Sequence, residues 1–259
     1  MSVHPTAVVS PDATVHPECE IGPYAVVGAG VTLGARTTVG AHAVIEGPTT
    51  IGEENRIHAH AALGGPPQDL KYKGEPTTLV VGNRNVFREF STAHRGTVTG
   101  HGTTVIGDDN LFMAYSHVAH DCVVGSRCVF ANGASLAGHC VVGNDAILGA
   151  FVGVRQFLRI GPYAFLGAFT GVNKDVLPFL WTSSERDTKA WKVNSVGLSR
   201  KGFSEERVKA LQKAYRLLHR NRHDHAALLA GLAELAKASE DVRLLHDFIE
   251  ASRQGIHGA

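Results

Sequence analysis

An aliphatic residue returns at every sixth position along most of this chain. From Val3 the step runs through Val9, Val15, Ile21, Val27, Leu33, Val39, Ile45, Ile51, Ile57 and Leu63. It resumes at Val81 and Phe87, weakens through Ala93 and Thr99, and slips by one residue. It then runs from Ile106 through Phe112, Val118, Val124, Phe130, Leu136, Val142, Leu148, Val154, Ile160 and Leu166 to Val172. Two positions before the aliphatic residue the chain is usually small, as at Ala7, Ala13, Cys19 and Ala25, and Gly often follows it, as at Gly22 and Gly28. A β-sandwich would instead alternate with period two and place turns at wider spacing. Each hexad suits one short strand and one tight turn, and three hexads close a triangular coil. The full run makes about nine coils of a parallel β-helix. A single coil cannot bury its own core, so stacking supplies the stability.

The prism is expected over residues 1–177, with one excursion at 64–80, where Pro, Gly and charge replace the hexads. Long loops on repeat scaffolds commonly carry function. The slip near 100–104 predicts a second, one-residue bulge. Residues 178–203 read as a connector, and 204–259 as a small C-terminal α-helical domain. Ser204 suits an N-cap ahead of Glu205 and Glu206. Helical spacing of Val208, Leu211, Tyr215 and Leu218, and later of leucines, predicts further helices at 224–239 and 241–253.

Composition narrows the function classes. Formal net charge is +1, so bulk electrostatics point to no nucleic-acid partner. No run is long and apolar enough for a membrane span, and no signal peptide is visible, so a cytoplasmic location is expected. Cys19, Cys122, Cys128 and Cys140 all occupy the small inward slot and read as packing residues, with no metal site and no disulfide.

Of the 15 histidines, His94, His101, His117, His120 and His139 cluster in the middle coils. His120 and Gly138 are one coil apart, with Gln156 one coil further. An imidazole beside a glycine N–H suits acyl transfer: the ring takes a proton from a hydroxyl, and the N–H holds the developing oxyanion. His101 falls in the slip region and reads as structural or solvent-facing.

The segments PQDLKY (Pro67–Tyr72), GEPT (Gly74–Thr77), HRGT (His94–Thr97), HVAHDC (His117–Cys122), LAGH (Leu136–His139) and RKGF (Arg200–Phe203) occur in that order. With the hexads and the helical tail, they resemble the UDP-N-acetylglucosamine 3-O-acyltransferase family, whose reaction opens lipid A biosynthesis. The resemblance spans essentially the whole chain. It implies a left-handed parallel β-helix, a homotrimer with sites between subunits, and transfer of a 3-hydroxyacyl chain from acyl carrier protein to the sugar, without a cofactor. Carried over by motif, His120 is implied as general base, Asp121 as its orienting carboxylate and Gly138 as oxyanion donor. Asp69, Lys71, His117 and His139 are implied as sugar and phosphate contacts, with Gln68 and Gln156 nearby. His94 matches another active-site histidine, and Asn194 and Arg200 match nucleotide contacts. Arg200, Lys201, Arg207, Lys209, Lys213, Arg216 and Arg220 form a basic tail suited to an acidic carrier.

Three positions depart from the family. Arg155 stands where His is common, and Val196 where an acid is common. Ala168 stands where a glycine gauges acyl length, which predicts a medium-length chain. Rival readings are a 3-amino sugar as acceptor, an acetyl-CoA-dependent transferase of the hexapeptide class, and a zinc hydratase similar to γ-class carbonic anhydrase using His94, His117 and His120.

Overall fold

A computed structural model describes residues 2–184 and 188–257, so the last two residues of the expected helical domain lie outside it. The hexads form three sheets of parallel strands, which are the three faces of a prism; with a hairpin added to the first, the sheets have eleven, nine and eight strands among the described residues. The aliphatic positions stack in register from coil to coil. Ile21 pairs with Val39 and Ile57 with Phe87 on the first face, Val118 with Leu136 on the second, and Ile106 with Val124 on the third. These side chains fill one continuous core. All four cysteines are free and buried inside it. The Sγ of Cys19, Cys122, Cys128 and Cys140 meets the carbonyls of Gly34, Ala137, Gly143 and Arg155, 15 residues on in each case.

From the second coil on, most corners turn through a residue with positive φ, three places after the aliphatic one. The turn residues therefore form columns. One column stacks Tyr24, His42, His60, Phe90 and Tyr115 ring on ring. Another alternates charge, pairing Arg84 with Asp109 and Arg127 with Asp145. The third holds Asp121 (φ 59) and His139 (φ 62). Asp and His bear the left-handed conformation better than branched residues do.

Two segments leave the prism. Ile51 pairs directly with Val81, so the chain between Gly65 and Thr78 is an excursion two hexads long. Val81 pairs with Ile106, 25 residues on, against 18 for a regular coil such as Ile106 to Val124. The expected one-residue bulge is thus an inserted turn of seven residues. Seven is one hexad plus one, so the period alone shows only the extra residue. Thr99, which the period counts as a weak core position, is exposed on that turn.

The stretch expected as a connector is structured. Leu180–Ser184 adds in parallel to Phe165–Leu166 and folds back antiparallel on Thr188–Val193. Helix α1 (Ser195–Arg200) follows, and then α2 (Glu205–Arg220), α3 (His225–Ala236) and α4 (Glu240–Glu250). Ser204 caps α2 by accepting from Arg207 N. Ser239 caps α4 by accepting from Val242 N, so α3 ends earlier than its leucine spacing predicts. The helices and the hairpin share a second core containing Phe179, Leu180, Leu211 and Leu245. Arg159 fastens this unit to the prism. It donates from Nε to Asp175 (3.0 Å) and from Nη2 to Phe248 O (2.9 Å). Among the described residues no helix is long and apolar enough to cross a membrane.

Candidate active site

His120 sits at a corner between the second and third faces. Its Nδ1 lies 2.9 Å from Oδ2 of Asp121, which is fully buried. An ionised carboxylate only accepts, so Nδ1 carries a proton, and in the neutral ring the lone pair is on Nε2. Burial alone raises the pKa of Asp121. Donation from the Thr97 hydroxyl, His120 and the Thr97 amide outweighs burial and holds it below the ordinary carboxylate range.

The neighbouring imidazoles are kept neutral. Burial, with help from His94 and His120, pushes His117 down to about 4. His117 Nδ1 meets the Thr92 hydroxyl at 2.7 Å. Burial also lowers His94, whose ring meets His117 edge-on at 4.9 Å. Burial lowers His139 too, against the opposing pull of Asp121. His139 stacks on Phe157 at 4.4 Å and stands perpendicular to His120.

Gly138 lies under the His120 ring, and a Cβ there would fall 2.5 Å from His120 Cε1. The flanking amides of Ala137 and His139 donate within the prism, whereas Gly138 N–H has no partner among the described residues.

Two grooves meet at His120. One of about 770 Å³ runs along the second face past His117, Ser135, Gly153 and Gly171. A Cβ at Gly153 or Gly171 would meet nothing, so this lane is open at its far end. The other groove, of about 970 Å³, lies under the excursion loop and is lined by Asp69, Lys71, His101 and His139. Gln68, His120 and Gln156 border both. Asp69 Oδ1 accepts from Lys71 N at 2.9 Å, which fixes the tip of the loop. Arg155 lines the lane, and its Nη2 donates to Gln254 Oε1 at 3.1 Å.

Four expected site residues lie elsewhere in the single chain. His94 stands behind His117 and lines neither groove. Ala168 is exposed on a corner, stacked over Gly149. Asn194 caps α1, and Arg200 is exposed at its end. Thr97, Thr104 and the backbone of His101, none of them expected, surround Asp121.

His120, Asp121 and His139 place ligand atoms within 4.8 Å of one another. Asp121 already takes donors from Thr97, His101 and His120, so a cation there would have to displace the His120 contact. The triad His94, His117 and His120 expected of a zinc hydratase does not form such a group among the described residues.

Residues 175–257 match a family model described as UDP-N-acetylglucosamine O-acyltransferase, domain 2, and residues 103–138 match the bacterial transferase hexapeptide repeat. The acyl-[acyl-carrier-protein]--UDP-N-acetylglucosamine O-acyltransferase of Xanthomonas euvesicatoria is 50% identical over 254 residues, which are 98% of this chain and 97% of that one. The chain belongs to the UDP-N-acetylglucosamine O-acyltransferase family. The protein of the same name from Thermodesulfovibrio yellowstonii is 46% identical, with 98% of each chain covered. The solved UDP-N-acetylglucosamine O-acyltransferase of Moraxella catarrhalis superposes with a TM-score of 0.96 at 41% identity, covering 99% of this chain and 100% of that one. In this family the prism is a left-handed parallel β-helix, and so it is here. Within the family fold, the His120 corner is where the two grooves join.

Proposed function

We propose that this chain moves a 3-hydroxyacyl group from acyl carrier protein to the glucosamine 3-hydroxyl of UDP-N-acetylglucosamine, the opening step of lipid A biosynthesis. The observation that carries the reading is the place of His120: at the junction of two grooves, with Nδ1 tied to Asp121 and its ring against Gly138, whose N–H has no partner among the described residues. One groove suits the acyl arm, because its lane is lined by Ser135, Gly153 and Gly171. The other suits the sugar nucleotide, with Lys71 and His139 facing it.

His120 Nε2 takes the proton of the sugar 3-hydroxyl as its oxygen attacks the thioester carbonyl. The carbonyl oxygen becomes an oxyanion held by Gly138 N–H. Collapse breaks the C–S bond, and the departing thiolate takes the proton back from Nε2. Asp121 keeps the ring in its tautomer throughout and stabilises the imidazolium. Lys71 meets the diphosphate as a point charge. Arg155, in the lane, donates to the acyl donor, and Gln68 and Gln156 border both substrates.

Asn194 and Arg200 reach nucleotide only if a neighbouring subunit brings them, and the reading therefore includes a homotrimer with sites between prisms. His94 supports His117 from behind. Ala168, on the corner leading to Gly171, sets the acyl length. The prism, expected over 1–177 and described from Ser2 on, carries the helical unit at its end, and the protein works in the cytoplasm without a cofactor.

The test is a matched assay of wild type and His120→Ala. Both receive UDP-N-acetylglucosamine, its 3-amino analogue, and a ladder of 3-hydroxyacyl carrier proteins, with acetyl-CoA as a further donor. Transfer to the 3-hydroxyl by wild type and a loss of about 10²–10⁴-fold in the variant are expected. Turnover with acetyl-CoA, or with the amino sugar alone, would overturn the substrate assignment.

A further inference from the structure

The seven-residue insertion does more than interrupt the period. It brings Thr97 and His101 onto Asp121. Thr97 Oγ1 donates to Oδ2 at 2.6 Å, Thr97 N lies 3.0 Å from the same oxygen, and His101 N donates to Oδ1 at 2.9 Å. Thr97 and Asp121 are both buried. Gly100 closes against the same carboxylate, and a Cβ there would fall 2.4 Å from its Cγ. The opposite end of the insertion holds the excursion loop. Arg95 Nη1 donates to Gly47 O and Gly64 O at 2.7 and 2.6 Å, at the root of that loop. Its Nη2 donates to the Tyr72 hydroxyl at 3.3 Å, and that hydroxyl donates to Glu75 O at 2.7 Å. Tyr72 adjoins Lys71, which lines the sugar groove.

We propose that Thr97 and Arg95 are positioning residues that divide the orientation of the site between them. Thr97 fixes the general base through Asp121, and Arg95 fixes the substrate loop through Tyr72. The inference rests on the reading of His120 as base. Asp121 has no freedom to swing, because both of its oxygens are held from the insertion. With the Thr97 hydroxyl gone, one oxygen loses its shortest donor, and the carboxylate and the imidazole bonded to it shift together. Misplacements of this size cost reaction rate more than substrate binding. Releasing Tyr72 leaves the base in place but frees Lys71, so the cost falls on sugar-nucleotide binding.

Steady-state kinetics of the full chain read the two roles separately. Thr97→Val is expected to lower kcat about 10- to 100-fold with KM for UDP-N-acetylglucosamine unchanged within about twofold, and Thr97→Ser to recover most of it. Gly100→Ala, on an exposed turn, pushes on the same carboxylate and is expected to act in the same way. It decides the matter if Thr97→Val fails to fold by thermal melting. Arg95→Lys and Tyr72→Phe are expected to raise that KM about 10-fold with kcat within about threefold. In a His120→Ala background, Thr97→Val should cost nothing further, since it acts through the missing ring. A wild-type kcat in both Thr97→Val and Gly100→Ala, with His120→Ala inactive, would overturn the brace and leave the base standing. Full activity in His120→Ala would overturn the base itself. Equal effects of Arg95→Lys and Thr97→Val on the same parameter would overturn the division.

Discussion

His120 and Gly138 share one space: the ring of the first occupies the room that a side chain at the second would need, with Cε1 2.5 Å from the Cβ position. Gly138→Ala therefore cannot act as a mild change. The methyl group would drive the imidazole off its Asp121 contact and change its place relative to Gly138. A loss of about 10²–10³-fold in kcat is expected, comparable to losing an oxyanion donor. Circular dichroism and melting should stay close to wild type, because Gly138 lies at a turn outside the stacked aliphatic core. An active Gly138→Ala enzyme would contradict the placement of the reacting atoms.

The neutral histidines give stability a sign with pH. His117 is held at about 4 in the fold, against 6.5 for the free group. Between those values the unfolded chain binds a proton that the folded chain refuses, so stability is full above about pH 6.5 and falls as pH drops toward 4. The contribution is on the order of 3 kcal/mol from a shift of this size. His94 and His139 are displaced in the same direction and add to the slope. Urea titrations of wild type and His117→Asn from pH 7 to 4 should show wild type losing more stability than the variant. Parallel curves would remove His117 from the account.

Asp175 is the hinge pin between prism and helices. It is fully buried and accepts from Arg159 Nε and from Ser252 Oγ (2.9 Å). Asp175→Ala strands a partly buried guanidinium, and such losses run to about 3–5 kcal/mol. The C-terminal segment is tied to the same point by Asp175 N to Gly255 O and His257 N to Asp175 O. Hydrogen exchange at 252–257 should therefore accelerate in the variant before the prism amides change.

The proposed function gives Ala168 the gauging of acyl length. Ala168→Gly should raise turnover of longer 3-hydroxyacyl donors relative to shorter ones, by about 10-fold for a pocket that feels single methylenes. An unchanged ladder of donors would move the gauge elsewhere, with Gly153 and Gly171 at the open end of the lane as the next positions to fill.

The core was legible because the prism repeats one environment: a residue such as Val118 or Leu136 sees the same neighbours in each coil. The approach of His120 to Gly138 was legible for the same reason, since adding one coil to a residue number finds its neighbour. That arithmetic fails wherever the chain leaves the prism. Thr97 contacts Asp121 across 24 residues, a spacing that no number of coils gives, so its role was hidden although HRGT stood out as a motif. Trp181 pairs with Phe165 at 16 residues, and in the sequence the hairpin around it is indistinguishable from a connector because its signal is too short to carry a period.

The two insertions behave toward the hexad count as a silent change and a frameshift do toward a reading frame. The excursion after Gly65 is two whole hexads and leaves the phase intact, so only its composition betrays it. The insertion after His94 adds one residue beyond a hexad and displaces every later core position by one. The prism itself is indifferent to either, because the next strand simply docks on the last. In such a fold the point where the frame breaks can be located by counting alone, and here that point is the segment that grips the buried carboxylate of Asp121.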